Sequence, residues 1–234
     1  MAKVPMHKIK VVLKDGYKET LTPILVWNVS VINKYNKNSD YTIRNIVNDI
    51  KDEIVIDIGA NIADTSIYFA LRGAKKVIAL EPSPYSYKFA HLNITANNLQ
   101  DIIELLNAGY GIDKKIYVDE KIETGTCTSY ISNETVYGKQ IDVYSLNTLV
   151  NRYNINSAVL KMDCEGCEYS LLTENDDILK TFKKIQIEYH YGYKNLKEKL
   201  ERCGFKVEYT KPIKIYNKIG KVHNMNVGYI YGKI

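Results

Sequence analysis

Residues 53–82 read EIVIDIGANIADTSIYFALRGAKKVIALEP, and this stretch decides the fold. Glu53 to Ile58 is a short run that is apolar apart from Glu53 at its start and Asp57 near its end, and Gly59 bounds it, as expected for a buried strand entering a turn. From Ile62 to Arg72 the apolar positions Ala63, Ile67, Ala70 and Leu71 share one face at helical spacing, and Gly73 sits where a left-handed stop is needed. Lys76 to Leu80 is a second apolar run, closed by Glu81 and Pro82. Two such strands around a helix make a parallel βαβ unit. Ligands of parallel sheets lie at the carboxyl ends of the strands, where Asp57, Gly59 and Glu81 are expected.

The same alternation continues downstream. Ser83 followed by Pro84 reads as a helix start, leading into Tyr85 to Asn97, and Ile102 to Leu106 reads as a third strand ending at Asn107 and Ala108. Gly111 to Gln140 has a different texture and reads as an irregular or hairpin insert. Ser145 is placed to cap a helix over Leu146 to Tyr153, and Ala158 to Met162 reads as a fourth strand ending in Asp163. Lys184 to Tyr189 is a fifth strand, Asn195 to Cys203 a helix stopped by Gly204, and Phe205 to Tyr209 and Val227 to Tyr231 are closing strands. The expected fold is α/β: a doubly wound, mostly parallel, seven-stranded Rossmann-like sheet. Ahead of it, a hairpin around the turn Lys14 to Gly16 and a helix over Tyr41 to Ile50 read as a short extension. The expected division is residues 1–50 for this extension, packed on the core, and 51–234 for the main domain.

Composition narrows the class. With 234 residues, 45% hydrophobic and 25% charged, the chain has the make-up of an ordinary globular domain. No apolar run approaches the roughly 20 residues that span a bilayer, and residues 1–13 lack the apolar segment of a secretion signal, so a cytoplasmic location is expected. The net charge of +5 is modest and its lysines are scattered, so nucleic-acid binding is permitted but not indicated. Cys127, Cys164, Cys167 and Cys203 do not form the framework of a small secreted domain, and reduced thiols are expected.

The glycine turn narrows the ligand. A dinucleotide fingerprint needs G-x-G-x-x-G, whereas this chain offers Gly59-x-Asn61-x-x-Asp64. A carboxylate in the first helical turn repels a docked pyrophosphate, which argues against NAD and FAD. Glu81 lies 22 positions after Gly59, a spacing suited to holding the two hydroxyls of a ribose. A nucleoside without pyrophosphate, with a cationic group near Asp57 and Asp64, fits these residues, and S-adenosylmethionine is such a ligand.

The run DIGANIADTSIYFA, EPSP after the second strand, LKMDCEGCEYSLL around the fourth and IEYH at the fifth together resemble the FkbM-type S-adenosylmethionine-dependent methyltransferases. The resemblance implies the class I methyltransferase sheet, with one reversed strand near its edge. It also implies a cofactor site in which Asp57, Gly59, Ala60, Asn61, Asp64 and Thr65 surround the methionine end. Glu81, Pro82 and Ser83 would hold the ribose, Asn107 and Ala108 border the adenine, and Asp163 close the site. Ala63 stands where that family usually has glycine, a change expected to act on local helix packing.

The acceptor side is expected around Asp163, Glu165, Glu188 and His190, at the carboxyl ends of neighbouring strands. Methyl transfer to a hydroxyl needs a base for the proton that is released, and these are the four candidates. His190 has the unperturbed pKa nearest neutrality, but the tyrosines around it could equally hold it structurally. Glu168 reads better as a cap for the helix that follows. The same carboxylates and histidine could serve a divalent ion, which ranks below the base reading, so no metal is expected. Cys164-x-x-Cys167 lacks the second half of a zinc site, and both are expected to be ordinary thiols. The expected activity is transfer of a methyl group to a hydroxyl of a small molecule or glycan. Action on protein or RNA, or a catalytically silent binding role, is the alternative.

Overall fold

The computed structural model describes residues 9–12, 18–21, 50–118, 138–215 and 225–234. Residues 41–49 of the helix expected over Tyr41 to Ile50, the turn Lys14 to Gly16 and the whole stretch from 119 to 137 lie outside the described residues. Two short strands, β1 (Ile9–Val12) and β2 (Lys18–Leu21), pair antiparallel.

The opening unit folds as β3 (Ile54–Ile58), α1 (Asp64–Leu71) and β4 (Lys76–Leu80). Next come α2 (Pro84–Ala96), capped by the Ser83 hydroxyl accepting from the Ser86 amide, and β5 (Ile103–Leu106). After the insert come α3 (Leu146–Arg152), β9 (Ala158–Met162), a 3-10 helix (Cys167–Thr173) and α4 (Asp176–Leu179). The chain closes with β10 (Phe182–Tyr189), α5 (Lys194–Arg202), β11 (Lys206–Tyr209), β12 (Ile213–Ile215) and β13 (Met225–Lys233).

The central path of the sheet runs β11-β13-β10-β9-β3-β4-β5, with β12 added beside β13. The pairs from β10 to β5 are parallel, and β13 is antiparallel to both β10 and β11. It is the one reversed strand of that seven-strand path, next to the edge, as the sequence implies. Alternate residues feed two apolar layers. Ile56, Ile58, Leu80, Leu160 and Ile187 face Leu146, Leu149, Leu196 and Leu200, whereas Val55, Val77, Ala79 and Val159 face Ile67, Phe69, Ala90 and Ile94. Each fully buried aliphatic side chain contributes about 1.5–3 kcal/mol, so both faces must be covered for the sheet to be stable.

Part of the insert expected to be irregular or a hairpin is an ordered second sheet. Strands β6 (Ala108–Tyr110), β7 (Lys114–Val118) and β8 (Lys139–Tyr144) pair in the order β6-β8-β7 around Ile116, Val118, Ile141 and Val143. Glu174 ties it to the core: one carboxylate oxygen accepts from the Tyr110 hydroxyl and the Leu146 amide.

Register places the site. Ile58 lies opposite both Leu80 and Met162, Leu80 opposite Leu106, and Met162 opposite Ile187. Gly59, Glu81, Asn107 and Asp163 therefore leave their strands in one row along the carboxyl edge of the sheet, level with Glu188 near the end of β10. Strand order reverses between β3 and β9, the position at which open α/β sheets form a ligand crevice.

Candidate active site

A cavity of about 530 Å³ opens over that row, within the range of small-molecule sites. Of the residues expected at the cofactor, Gly59, Asn61, Glu81, Pro82, Ala108 and Asp163 line it, and from the acceptor set Glu165 joins them. The second sheet supplies the opposite wall through Tyr110, Ile112, Lys114, Ile116 and Val143.

Glu81 is built into this wall. One carboxylate oxygen accepts from the Asn61 amide at 2.7 Å and the other from the Ser83 amide at 2.8 Å, so its charge and orientation are fixed. A carboxylate oriented in this way presents two acceptor oxygens side by side, a shape that suits a pair of vicinal hydroxyls. Asn107 and Ser83 act behind the wall. The Asn107 side-chain amide donates to the carbonyls of Glu81 and Pro82 while its oxygen accepts from Lys139, and Ser83 caps α2.

Asp57 departs from its expected place beside a cationic ligand. It is fully buried, ion-paired to Lys161 at 2.9 Å and accepting from the Ser66 hydroxyl at 2.5 Å, and it does not line the cavity. Its charge is answered inside the protein rather than by the ligand. Ala60, Asp64 and Thr65 likewise lie off the cavity wall among the described residues. Burial raises the Asp64 pKa, opposed by Lys161 and reinforced by Asp57.

Lys161 is the residue that sequence reasoning missed. It stands mid-strand in β9, almost without solvent contact, and also donates to the Gly59 carbonyl at 3.2 Å. Burial opposes its charge, but Asp57, Asp163 and Asp64 together outweigh that cost and hold its pKa above the ordinary lysine value. The signal was legible: one lysine inside the otherwise apolar AVLKM of a central strand has no solvent to reach.

Gly59 is required by packing. Its φ is +78°, and a Cβ there would stand 1.9 Å from the Asp163 carbonyl oxygen, so the turn after β3 and the end of β9 touch backbone to backbone. Ala63 has φ 66° and ψ 23°, a left-handed conformation at the start of α1. The family's usual glycine there thus reflects backbone conformation rather than the helix packing expected from the sequence.

The acceptor side is one linked cluster. His190 Nε2 lies 2.8 Å from a Glu165 carboxylate oxygen and its Nδ1 3.0 Å from Glu168. Glu168, fully buried, also accepts from the His190 amide at 2.9 Å and the Gly166 amide at 2.7 Å. It therefore caps its own turn, as the sequence suggested, and also reaches across to β10. Burial disfavours charge on His190, but the pairs with Glu165 and Glu168 push its pKa up to about 10. Paired on both nitrogens, the ring is favoured in its protonated form at neutral pH, which accords with the structural role left open for it beside that of a base. His190 and Glu188 also lie off the cavity lining, behind Glu165 and Asp163.

Asp163 lines the cavity, and burial raises its pKa against the opposing charge of Lys161. Glu188 is pushed up to about 8 by burial, with Asp163 adding to the shift. Asp163, Glu165 and His190 each offer a donor atom within 4.8 Å of the others, a spacing a metal ion could use. Here both nitrogens of His190 face carboxylates instead.

Cys164 and Cys167 are joined in a disulfide, which corrects the expected free thiols. Glu165 at φ 58° and Gly166 at φ 118° fold the intervening turn tightly enough to bring the two Cα atoms to 5.4 Å, inside the bridging range. Both cysteines line the cavity.

The family profile described as the methyltransferase FkbM domain matches residues 57–207. A tRNA(Phe) (4-demethylwyosine(37)-C(7)) aminocarboxypropyltransferase of Pyrococcus horikoshii is 29% identical over 148 residues, which make up 63% of this chain and 47% of that protein. The chain thus spans about half the length of this relative. Solved structures that overlay on it include a precorrin 8W decarboxylase from Methanobacterium thermoautotrophicum, at TM-score 0.49 and 16% identity, covering 86% of this chain and 91% of the other. Another is an rRNA methylase from Streptococcus thermophilus, at TM-score 0.48 and 14% identity, covering 84% and 96%.

Proposed function

The chain belongs to the FkbM family of S-adenosylmethionine-dependent methyltransferases, and from that premise we propose that it methylates a hydroxyl of a small molecule or glycan. The observation that carries this reading is the disposition of acids around one cavity. Glu81, braced by two backbone amides, stands on one wall, and the carboxylates of Asp163 and Glu165 face the same space. The residues fit the cofactor: Glu81 suits a ribose diol, the volume suits a nucleoside, and the acidic lining suits a cation. Bound there, S-adenosylmethionine supplies an electrophilic methyl group on a sulfonium.

The protein's own share is positional and protolytic. Glu81 holds the ribose, and Gly59 and Asn61 shape the turn against which the remainder of the cofactor rests. Asp163 and Glu165 would receive the acceptor hydroxyl, and one of the two would take its single proton when the methyl group leaves the sulfonium, which departs as a neutral thioether. The raised pKa of Asp163 makes it a stronger base than an ordinary carboxylate. His190, already protonated, keeps Glu165 beside the cavity. Tyr110, Ile112 and Lys114 form the wall that selects the acceptor.

An RNA acceptor is the second reading, favoured by one observation: the Pyrococcus relative is named for action on tRNA. Incubating the enzyme and cell extract with S-adenosylmethionine labelled in its methyl group separates the two. Label in the small-molecule or glycan fraction, released as a methyl ether, supports the first reading. Label in RNA establishes the second and overturns the first.

A further inference from the structure

The three interactions made by Glu168 exceed what a cap requires. The side chain is fully buried in the 3-10 helix after β9, yet one oxygen accepts from both the amide and the Nδ1 of His190 at the end of β10. The other accepts from Gly166, the residue directly after Glu165. One carboxylate thus binds the backbone beside Glu165 and the ring that Glu165 contacts. A buried histidine ring with a single carboxylate partner can turn by about 180° about its Cβ–Cγ bond, which puts a ring carbon where each nitrogen stood and leaves the outline of the ring nearly unchanged. The second partner and the backbone bond remove that freedom.

We propose that Glu168 is a positioning residue: it fixes the His190 imidazole with Nδ1 inward and Nε2 toward the cavity, and through Nε2 it holds the Glu165 carboxylate at the cavity wall. This rests on the reading of Glu165 as an acceptor-side base. The arrangement is that of a carboxylate orienting a histidine whose other nitrogen works on a third group, here another carboxylate rather than a nucleophile or a metal. Asp163 and Glu188 are the further acids whose charges act on His190, and Lys161 is the cation that acts on Asp163. Glu168 alone among these acids is given to both the backbone and the ring of His190. A purely structural cap would secure the Gly166 turn and leave the ring indifferent.

The test is ¹⁵N NMR of the His190 ring in the full chain, assigned by its loss in His190→Gln. In the wild type both ring nitrogens are expected to be protonated at pH 7.5. In Glu168→Gln the ring should titrate at least one pH unit lower, while affinity for S-adenosylhomocysteine changes less than threefold. An unchanged titration in the folded variant overturns the proposal. Glu165→Gln gives an independent arm in case Glu168→Gln fails to fold: with Glu168 in place, the neutral ring should keep its proton on Nδ1. A proton on Nε2 there also overturns the proposal. Absence of S-adenosylhomocysteine binding by the wild type would instead sink the functional reading, and leaves the ring measurements to decide the role of Glu168.

Discussion

At the scale of single residues, the site depends on backbone conformations and charges that the surrounding sequence does not compensate elsewhere. Ala63 pays a left-handed strain of roughly 1–2 kcal/mol that glycine would relieve, set against the loss of one buried methyl and added chain freedom. These nearly cancel. Ala63→Gly should fall within about 1 kcal/mol of wild type, whereas Ala70→Gly in the middle of α1 should cost about 2 kcal/mol, both read by urea denaturation. Equal losses would refute the conformational account. Gly59→Ala should destabilise by about 3 kcal/mol or more, because its Cβ meets a carbonyl oxygen and not a side chain that can move. His190 predicts a pH dependence. Its folded pKa of about 10 lies above the free value of 6.5, so its contribution is fully present below pH 6.5 and is lost as pH rises through 10. Wild-type stability should fall more steeply across that window than that of His190→Gln, and parallel curves would contradict the assigned ion pairs.

At the scale of elements, legibility followed periodicity and caps. Lys76–Leu80 and Ala158–Met162 have the bounds expected from their apolar runs, and the helices begin at Ser83 and Ser145 because those hydroxyls accept from the amides three residues on. The second sheet was legible only in part: a hairpin was one of the two readings of the insert, and β7 and β8 do pair antiparallel, but the addition of β6 was not foreseen. Its strands β6 and β8 are far apart in sequence and pair in parallel, so no local turn signal announces them. Lys161 escaped for a related reason: its partner Asp57 lies on the neighbouring strand, and only their register brings the two charges together. The disulfide escaped because its geometry depends on two consecutive positive φ angles, one of them at a glutamate. On the proposed reading, in which the second sheet walls the acceptor side, Lys114→Ala should raise KM for the acceptor severalfold and leave cofactor affinity unchanged. Equal weakening of both would move that wall into the cofactor site.

At the scale of the whole molecule, the row from Gly59 to Glu188 exists because five parallel strands share one register, with the strand order reversing between β3 and β9. The fold, and the place of Gly59 and Glu81 at the carboxyl edge of its sheet, were readable from Glu53 to Pro82 and the later motifs. The division of labour among the acids was not, because it depends on which carboxylates face the cavity and which are answered internally. Asp57 belongs to the second group and Glu81 to the first. That contrast is the central claim, and titration calorimetry with S-adenosylhomocysteine tests it most directly. The wild type should bind one equivalent, and Glu81→Ala, losing charge-assisted hydrogen bonds of roughly 1.5–3 kcal/mol, should bind about 10- to 100-fold more weakly while remaining folded. Unchanged affinity in a folded Glu81→Ala, or no heat with the wild type, would contradict the account.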